Sequence, residues 1–138
     1  MLIELQVHGF EAVTLRVSRF AAFQPDPLLA ILGNLLRSQT LRHFDQESGP
    51  AGKWADLQPS TIARKSGRQI LVDTGRLHSS IAMVVGKNEV EVGTNVSYGK
   101  FHQHGTRKMV ARPFVGLNDV DRDEIERTVD AFMTSLIV

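Results

Sequence analysis

The segment PDPLLAILGNLLRSQTLRHFD, residues 25–45, sets the expected architecture of the chain. Its apolar residues recur with the period of an α-helix and form one stripe, which predicts a helix over residues 26–45. Asp26 can cap the first turn, and Pro27 suits the first helical position because its missing N–H would have no partner there. Gln39 and His43 fall on the same stripe as the leucines.

Other segments around this helix predict a sheet and a second long helix. Residues 118–136 form the predicted C-terminal helix, in which Asn118 caps an acid-rich first turn that the helix dipole favours. Residues 81–85 and 89–96 alternate in polarity on either side of Gly86-Lys87-Asn88, which is the pattern of a β-hairpin. Segments 69–72 and 107–115 are the remaining expected strands of this sheet.

The N-terminal segment carries two local patterns. Phe10, Val13, Val17 and Phe20 recur at helical spacing and predict a helix there, whereas residues 2–7 are compatible with a short strand. The whole chain is therefore expected to form a single α+β domain over residues 1–138. In this domain a small, mostly antiparallel β-sheet packs against the long helix of the N-terminal half and the C-terminal helix.

Composition excludes several classes of protein. The chain has 138 residues, a net charge of +1 and no cysteine. Disulfides, thiol catalysis and Cys-based zinc sites are therefore excluded, and bulk charge does not favour tight binding to nucleic acid or to an anionic membrane. Its apolar stretches are too short to cross a bilayer, and Met1–Val7 does not resemble a signal peptide, so we expect a cytoplasmic protein.

Three motifs permit more than one interpretation. Asp73 in the segment ILVDTG, residues 70–75, matches the way a homodimeric retropepsin-like aspartic protease presents its catalytic carboxylate, but Asp73 or Thr74 can equally cap a short helix. His102 and His104 would lie on one face of a strand, as metal ligands can, or serve in hydrogen bonds and contacts. Trp54 follows the Gly/Pro-rich loop 46–57 and can anchor either the core or a partner.

Charge is distributed unevenly along the chain. Residues 100–112 contain four cations and no acid, whereas residues 118–130 contain six acids against Arg122 and Arg127. The two segments are either solvated faces or complementary patches, and complementary patches would let copies of the chain associate head to tail.

From Trp54 onward, the order and spacing of several fragments resemble the phage virion morphogenesis and tail completion family of Mu-like tailed phages and prophages. The fragments are Trp54-Ala55-Asp56-Leu57, Ser60-Thr61-Ile62 with Lys65, Ile70-Leu71-Val72-Asp73-Thr74-Gly75-Arg76-Leu77, Ser80-Ile81, Val90-Glu91-Val92-Gly93-Thr94-Asn95-Val96 with Tyr98, Phe101-His102-Gln103-His104-Gly105 and Ala111-Arg112-Pro113-Phe114-Val115-Gly116-Leu117. The chain departs from the family pattern at Gly99, where Ala is common, and at His104, where a large apolar residue is usual.

The resemblance implies a small non-enzymatic protein without cofactors or metals, which acts in tail completion or head–tail joining. It implies an α+β fold like that of tail-terminator or connector proteins. It also implies that the protein acts as a ring of subunits, commonly six. The expected partners are other copies of the chain, tail-tube proteins and head–tail connector proteins, with DNA passing through as cargo and no membrane. The expected location is the host cytoplasm during assembly and then the virion tail or neck. The expected interface residues are Trp54, Asp73, Arg76, Tyr98, His102, His104, Arg107, Lys108, Arg112, Asp119, Asp121 and Asp123.

Overall fold

The computed structural model describes residues 3–8, 12–17, 26–50, 52–57, 76–96, 99–107 and 110–137. Within these ranges the elements are β1 (Ile3–His8), β2 (Ala12–Val17), α1 (Asp26–Gln46), β3 (Ser48–Gly49), β4 (Gly52–Lys53), α2 (Arg76–Ser79), β5 (Ala82–Val85), β6 (Glu89–Gly93), α3 (Gly99–His104) and α4 (Asp119–Ile137). The mixture of helices and antiparallel strands confirms the predicted α+β class.

Four strands form one antiparallel sheet in the order β1-β2-β6-β5, and β3 pairs with β4 in a separate two-stranded ladder. The register brings apolar residues into line across the four-stranded sheet. Leu5 lies opposite Leu15, Leu15 opposite Val90, and Val90 opposite Val85. Alternate positions of a strand share one face, so this register concentrates apolar residues on one face of the sheet.

Helix α1 packs on β5 and β6 and supplies much of the hydrophobic core. Its buried leucines join Leu15, Val90 and Val92 of the sheet and Ile125 and Val129 of α4 in one hydrophobic cluster. Gly33 lies at a close contact between α1 and the sheet, where a Cβ atom would be 2.8 Å from both Met83 Sδ and Val90 Cγ2. A glycine in mid-helix costs stability on its own, and here it permits close packing of the helix on the sheet.

The structure confirms several predicted elements. Helix α1, helix α4 and the hairpin of β5 and β6 lie where the patterns placed them, and Asn88 in the turn has a positive φ of 60°. The short strand permitted at residues 2–7 is also present, as β1.

Two predicted elements are wrong. Residues 12–17 form β2 rather than a helix. Val13 and Val17 are four positions apart, and in a strand residues four apart lie on the same face, so this spacing fits a strand as well as a helix. Residues 110–115 form no strand, and Pro113 lacks the N–H that a ladder needs. The loop predicted at 46–57 contains β3 and β4, and the strand predicted at 69–72 lies outside the described residues.

We predict that Gly33→Val destabilises the protein by about 2 kcal/mol, because the added methyl groups overpack the contact between α1 and the sheet. The matched control is Asn34→Val at the next, exposed position, which changes helix propensity alone. Urea unfolding followed by circular dichroism measures both. Equal stabilities of the two variants would contradict the close packing at Gly33.

Candidate functional site

Residues 110–118 cross the buried part of the molecule without forming a helix or a strand. Phe114 and Val115 within this segment are almost completely buried. Buried backbone N–H and C=O groups must be hydrogen-bonded, and this segment has no ladder to bond them. Side chains from four other parts of the chain supply the partners instead.

Gln103 bonds the centre of the segment from helix α3. Its side-chain oxygen accepts hydrogen bonds from the N–H groups of Phe114 and Val115, at 3.1 and 3.0 Å, and its Nε2 donates to Val115 O at 2.9 Å. The side-chain amide of Gln103 therefore makes the backbone hydrogen bonds that a neighbouring strand would make in a sheet. Gly99 begins helix α3 beside Thr94. A Cβ atom at Gly99 would be only 2.9 Å from Thr94 Cγ2, so glycine permits the helix to begin at this place.

Trp54 holds the Pro113 end of the segment. Its Nε1–H donates to Pro113 O at 2.7 Å, and its ring packs edge-on against buried Phe44. Gly49 of β3 lies against the same carbonyl, where a Cβ atom would be 1.9 Å from Pro113 O. Trp54 is therefore a core anchor, which decides between the two alternatives left open by the sequence.

Arg112, expected to pair with a neighbouring subunit, bonds within its own chain. Its Nε donates to Ala55 O at 2.9 Å, its Nη2 donates to Asp56 O at 3.0 Å, and only 8% of the residue is exposed. Its backbone N–H donates to His102 O at 2.7 Å. The guanidinium group of Arg112 is held by two successive backbone carbonyls after β4, which are spaced to accept from its two neighbouring nitrogens.

His43 connects the segment to helix α4. Its Nδ1 donates to Phe114 O at 2.6 Å, and its Nε2 lies 2.8 Å from Asp121 Oδ2. A carbonyl oxygen can only accept, so Nδ1 carries the proton that bonds Phe114 O, and Nε2 shares a second hydrogen bond with the Asp121 carboxyl group. The ring is fully buried and positions the start of α4 against the end of α1.

Asp121, also expected at a subunit interface, is fully buried and serves as the partner of several groups. Arg42 donates to its Oδ1 at 2.7 Å, and Asn118 N–H donates to its Oδ2 at 3.1 Å. In return, Asn118 Oδ1 accepts from Asp121 N–H at 2.8 Å, so the two residues cap α4 reciprocally. Asp121 is therefore unavailable for a neighbouring subunit, since its oxygens are used by the cap, Arg42 and His43.

The Arg42 guanidinium also donates to Glu124, one turn further along α4. This hydrogen bond lowers the pKa of the Glu124 carboxyl, and the same contact raises the pKa of Arg42. Arg42, His43, Asp121 and Glu124 thus form one hydrogen-bonded cluster between α1 and α4.

The other expected interface residues occupy different places. Arg76, His104, Arg107, Asp119 and Asp123 are exposed, His102 is half-buried, and Asp73, Tyr98 and Lys108 lie outside the described residues. His102 and His104 lie on helix α3, where residues two apart point to different sides, so they lack the shared strand face that the metal-ligand alternative required. Among the described residues, no group of three or more His, Asp or Glu side chains is arranged to hold a metal ion.

Nothing in the sequence pattern identified Arg42 and Gln103 as hydrogen-bond partners of buried groups, and His43 was predicted on the buried stripe without a partner. The polar residues Gln39 and His43 on an otherwise apolar stripe were the signal, because a buried polar side chain needs a hydrogen-bond partner. Gln39 Nε2 donates to Asp121 O at 2.9 Å.

We predict that Gln103→Leu lowers the free energy of unfolding by about 3 kcal/mol, because two buried N–H groups and one carbonyl lose their partner. Gln103→Glu keeps the two acceptor contacts and loses the donor, so it also destabilises. The control is Gln46→Leu, the same change at an exposed position. Chemical unfolding followed by Trp54 fluorescence measures all three, and equal stabilities of the Gln103→Leu and Gln46→Leu variants would contradict this role.

We predict that Glu124→Gln removes a stabilisation that depends on pH. The pKa of Glu124 is lower in the folded state, so its contact with Arg42 stabilises fully above about pH 5 and is lost as the pH falls through the folded-state value. The side chain is partly exposed, which limits the effect at pH 7 to about 0.5 kcal/mol.

Urea unfolding at pH 7, 5 and 3.5 tests this prediction, with Glu126→Gln as the exposed control on the same helix. The stabilities of wild type and Glu124→Gln should converge at the lowest pH. A difference that stays constant from pH 7 to 3.5 would contradict it.

Comparison with known proteins adds independent evidence. Residues 10–134 match the phage virion morphogenesis family. The chain is 33% identical over 112 residues to Mu-like prophage FluMu G protein 1 of Haemophilus influenzae, covering 76% of this chain and 77% of that protein. It is 28% identical over 145 residues to FluMu G protein 2 of the same organism, covering 99% of each chain.

No solved structure matches the chain significantly. In the described part of the molecule, no helix combines the length and apolarity needed to cross a bilayer. The family match covers most of the chain, including the segment 110–118 and the residues that hold it. The chain therefore belongs to the phage virion morphogenesis family.

Proposed function

We propose that this protein is a non-enzymatic structural component that completes the phage tail or joins it to the head, as a ring of identical subunits. Membership of a virion morphogenesis family supports an assembly role. The observation that supports the ring is the uneven distribution of exposed charge. On α4 the exposed acids Asp119, Asp123, Glu126 and Asp130 outnumber the exposed Arg122 and Arg127, whereas Arg107 is exposed after α3. Unlike patches on one subunit favour head-to-tail contacts, which close into rings when the rotation permits.

The interior of the described chain supports a structural role. The buried polar side chains of Arg112, Gln103, His43 and Asp121 are hydrogen-bonded to the protein itself and thereby fix the shape of the subunit. The long helices α1 and α4 also do not fit the all-β fold of the homodimeric aspartic protease that was the alternative for Asp73. A rigid subunit with exposed charges is what a repeating assembly requires.

In this proposal the protein assembles in the host cytoplasm and then stays at the tail or neck of the virion. Its partners are other copies of itself, tail-tube proteins and connector proteins. DNA passes through the ring as cargo, which agrees with a net charge of only +1, since a channel must let DNA slide. The two relatives carry prophage protein names, which supports the same setting.

We predict that Arg107→Glu weakens self-association about fivefold per contact, because it replaces an attraction to an acidic neighbour with repulsion. Light scattering behind size exclusion, over a wide concentration range and at two salt concentrations, measures the mass. Wild type should form a closed species near six subunits that dissociates more readily at high salt.

The matched control is Lys53→Glu, a charge reversal at an exposed position in β4 that belongs to neither charged stretch of the sequence. It should assemble like wild type. A wild-type protein that stays monomeric at all concentrations would contradict ring formation by the chain alone, and equal assembly of Arg107→Glu and Lys53→Glu would contradict the charged contact.

A further inference from the structure

Strand β5 is an edge of the four-stranded sheet and is unusually apolar for an edge. Its residues are Ala82, Met83, Val84 and Val85, and among them Val84 is 67% and Val85 43% exposed. Edge strands are usually protected by charges, prolines or bulges. Strand β5 has no charge and no proline, and its register with β6 is continuous, so a covering partner is expected.

The backbone of β5 is oriented to receive another strand. Gly86 N–H donates to Glu89 O at 2.8 Å, which makes this a hydrogen-bonded pair. Bonded and non-bonded pairs alternate in an antiparallel ladder, so Val84 exchanges bonds with Glu91, whereas Met83 and Val85 direct their N–H and C=O groups away from β6. In the part of the chain that the structure describes, these groups form the open side of the strand.

Strand β1, at the opposite edge of the same sheet, runs in the direction that antiparallel pairing with β5 requires. Each neighbouring pair in the order β1-β2-β6-β5 is antiparallel, so β1 and β5 run in opposite directions. When two copies lie side by side in the same orientation, β5 of one meets β1 of the next as an antiparallel pair. An even number of strands thus lets the alternation continue across a subunit boundary.

We propose that β5 of one copy pairs with β1 of the next copy, which joins the sheets of neighbouring subunits into one continuous sheet. The occupant of the β5 edge is a second copy of this chain. This inference rests on the ring of the proposed function and names the backbone contact that would build it.

Charges beside the two edges are consistent with this contact. The exposed Arg37 of α1 donates to Ile81 O immediately before β5, which places a cation at this edge. Leu15 of β2 lines a groove together with Ile125 of α4, and Glu126, Asp130 and Arg122 line the same groove, which is net acidic. The head-to-tail arrangement brings the Arg37 side of one copy toward the acidic groove side of the next.

Two substitutions in β5 test the strand contact, one by adding a charge and one by removing a backbone hydrogen-bond donor. Val84→Lys places a charge on the exposed edge, and Val85→Pro removes an N–H that points away from β6. Each should raise the subunit concentration at half-assembly at least tenfold by light scattering. Val110→Lys is the matched control, because Val110 is 54% exposed and lies outside the sheet. Circular dichroism and Trp54 fluorescence confirm that each variant folds.

Cross-linking distinguishes the two ways in which β5 can be covered. The chain has no cysteine, so Val84→Cys can be combined with Gln6→Cys in β1 and treated with a short bis-maleimide. A ladder of covalent multimers from the double variant, and little cross-linking from Val84→Cys alone, supports β5-to-β1 pairing. Covalent dimers from Val84→Cys alone would overturn it in favour of β5-to-β5 pairing.

The outcomes separate this inference from the proposed function. If Val84→Lys and Val85→Pro assemble like wild type while Arg107→Glu does not, the strand contact is overturned and the charged ring stands. If both edge variants and Arg107→Glu weaken assembly, both are supported. A monomeric wild type overturns the strand contact together with the ring.

Discussion

The segment 110–118 must bury its backbone without the hydrogen bonds of a helix or a sheet, and much of the molecule is arranged around that requirement. Trp54 after β4, Gln103 of α3 and His43 of α1 bond its carbonyl and amide groups. An unsatisfied buried polar group costs about 1–3 kcal/mol, so several such groups together would equal a large part of the stability of a domain. Satisfying them therefore fixes where α1, α3 and the β3–β4 ladder can lie.

The hydrogen bonds that this segment needs are made partly by charged side chains that are buried and so are absent from the surface. Arg112 and Asp121 come from the two charged stretches of the sequence, yet both are buried and bonded within the chain. Arg107, Asp119 and Asp123 from the same two stretches remain exposed at the surface. The proposed ring of identical subunits would use this combination of an internally bonded shape and charge left at the surface.

Patterns that depend on one local period were predictable from the sequence, and those that depend on distant partners were not. The stripe of α1, the Asn118 cap and the β5–β6 hairpin are local, and all are present. Residues 12–17 were predicted to be helical because Val13 and Val17 are four positions apart, but that spacing also fits a strand, and pairing with β1 and β6 makes this segment a strand. The role of Arg112 could not be predicted, since its acceptors lie more than fifty residues away at Ala55 and Asp56.

Hydrogen exchange of individual amides in the wild-type protein tests the central claim most directly. The N–H groups of Arg112, Phe114 and Val115 donate to His102 O and to Gln103 Oε1, although no helix or strand contains them. The account predicts that these three amides exchange as slowly as the core amides of α1, because opening them requires breaking the buried network. Exchange at the rate of the exposed β5–β6 turn would contradict it.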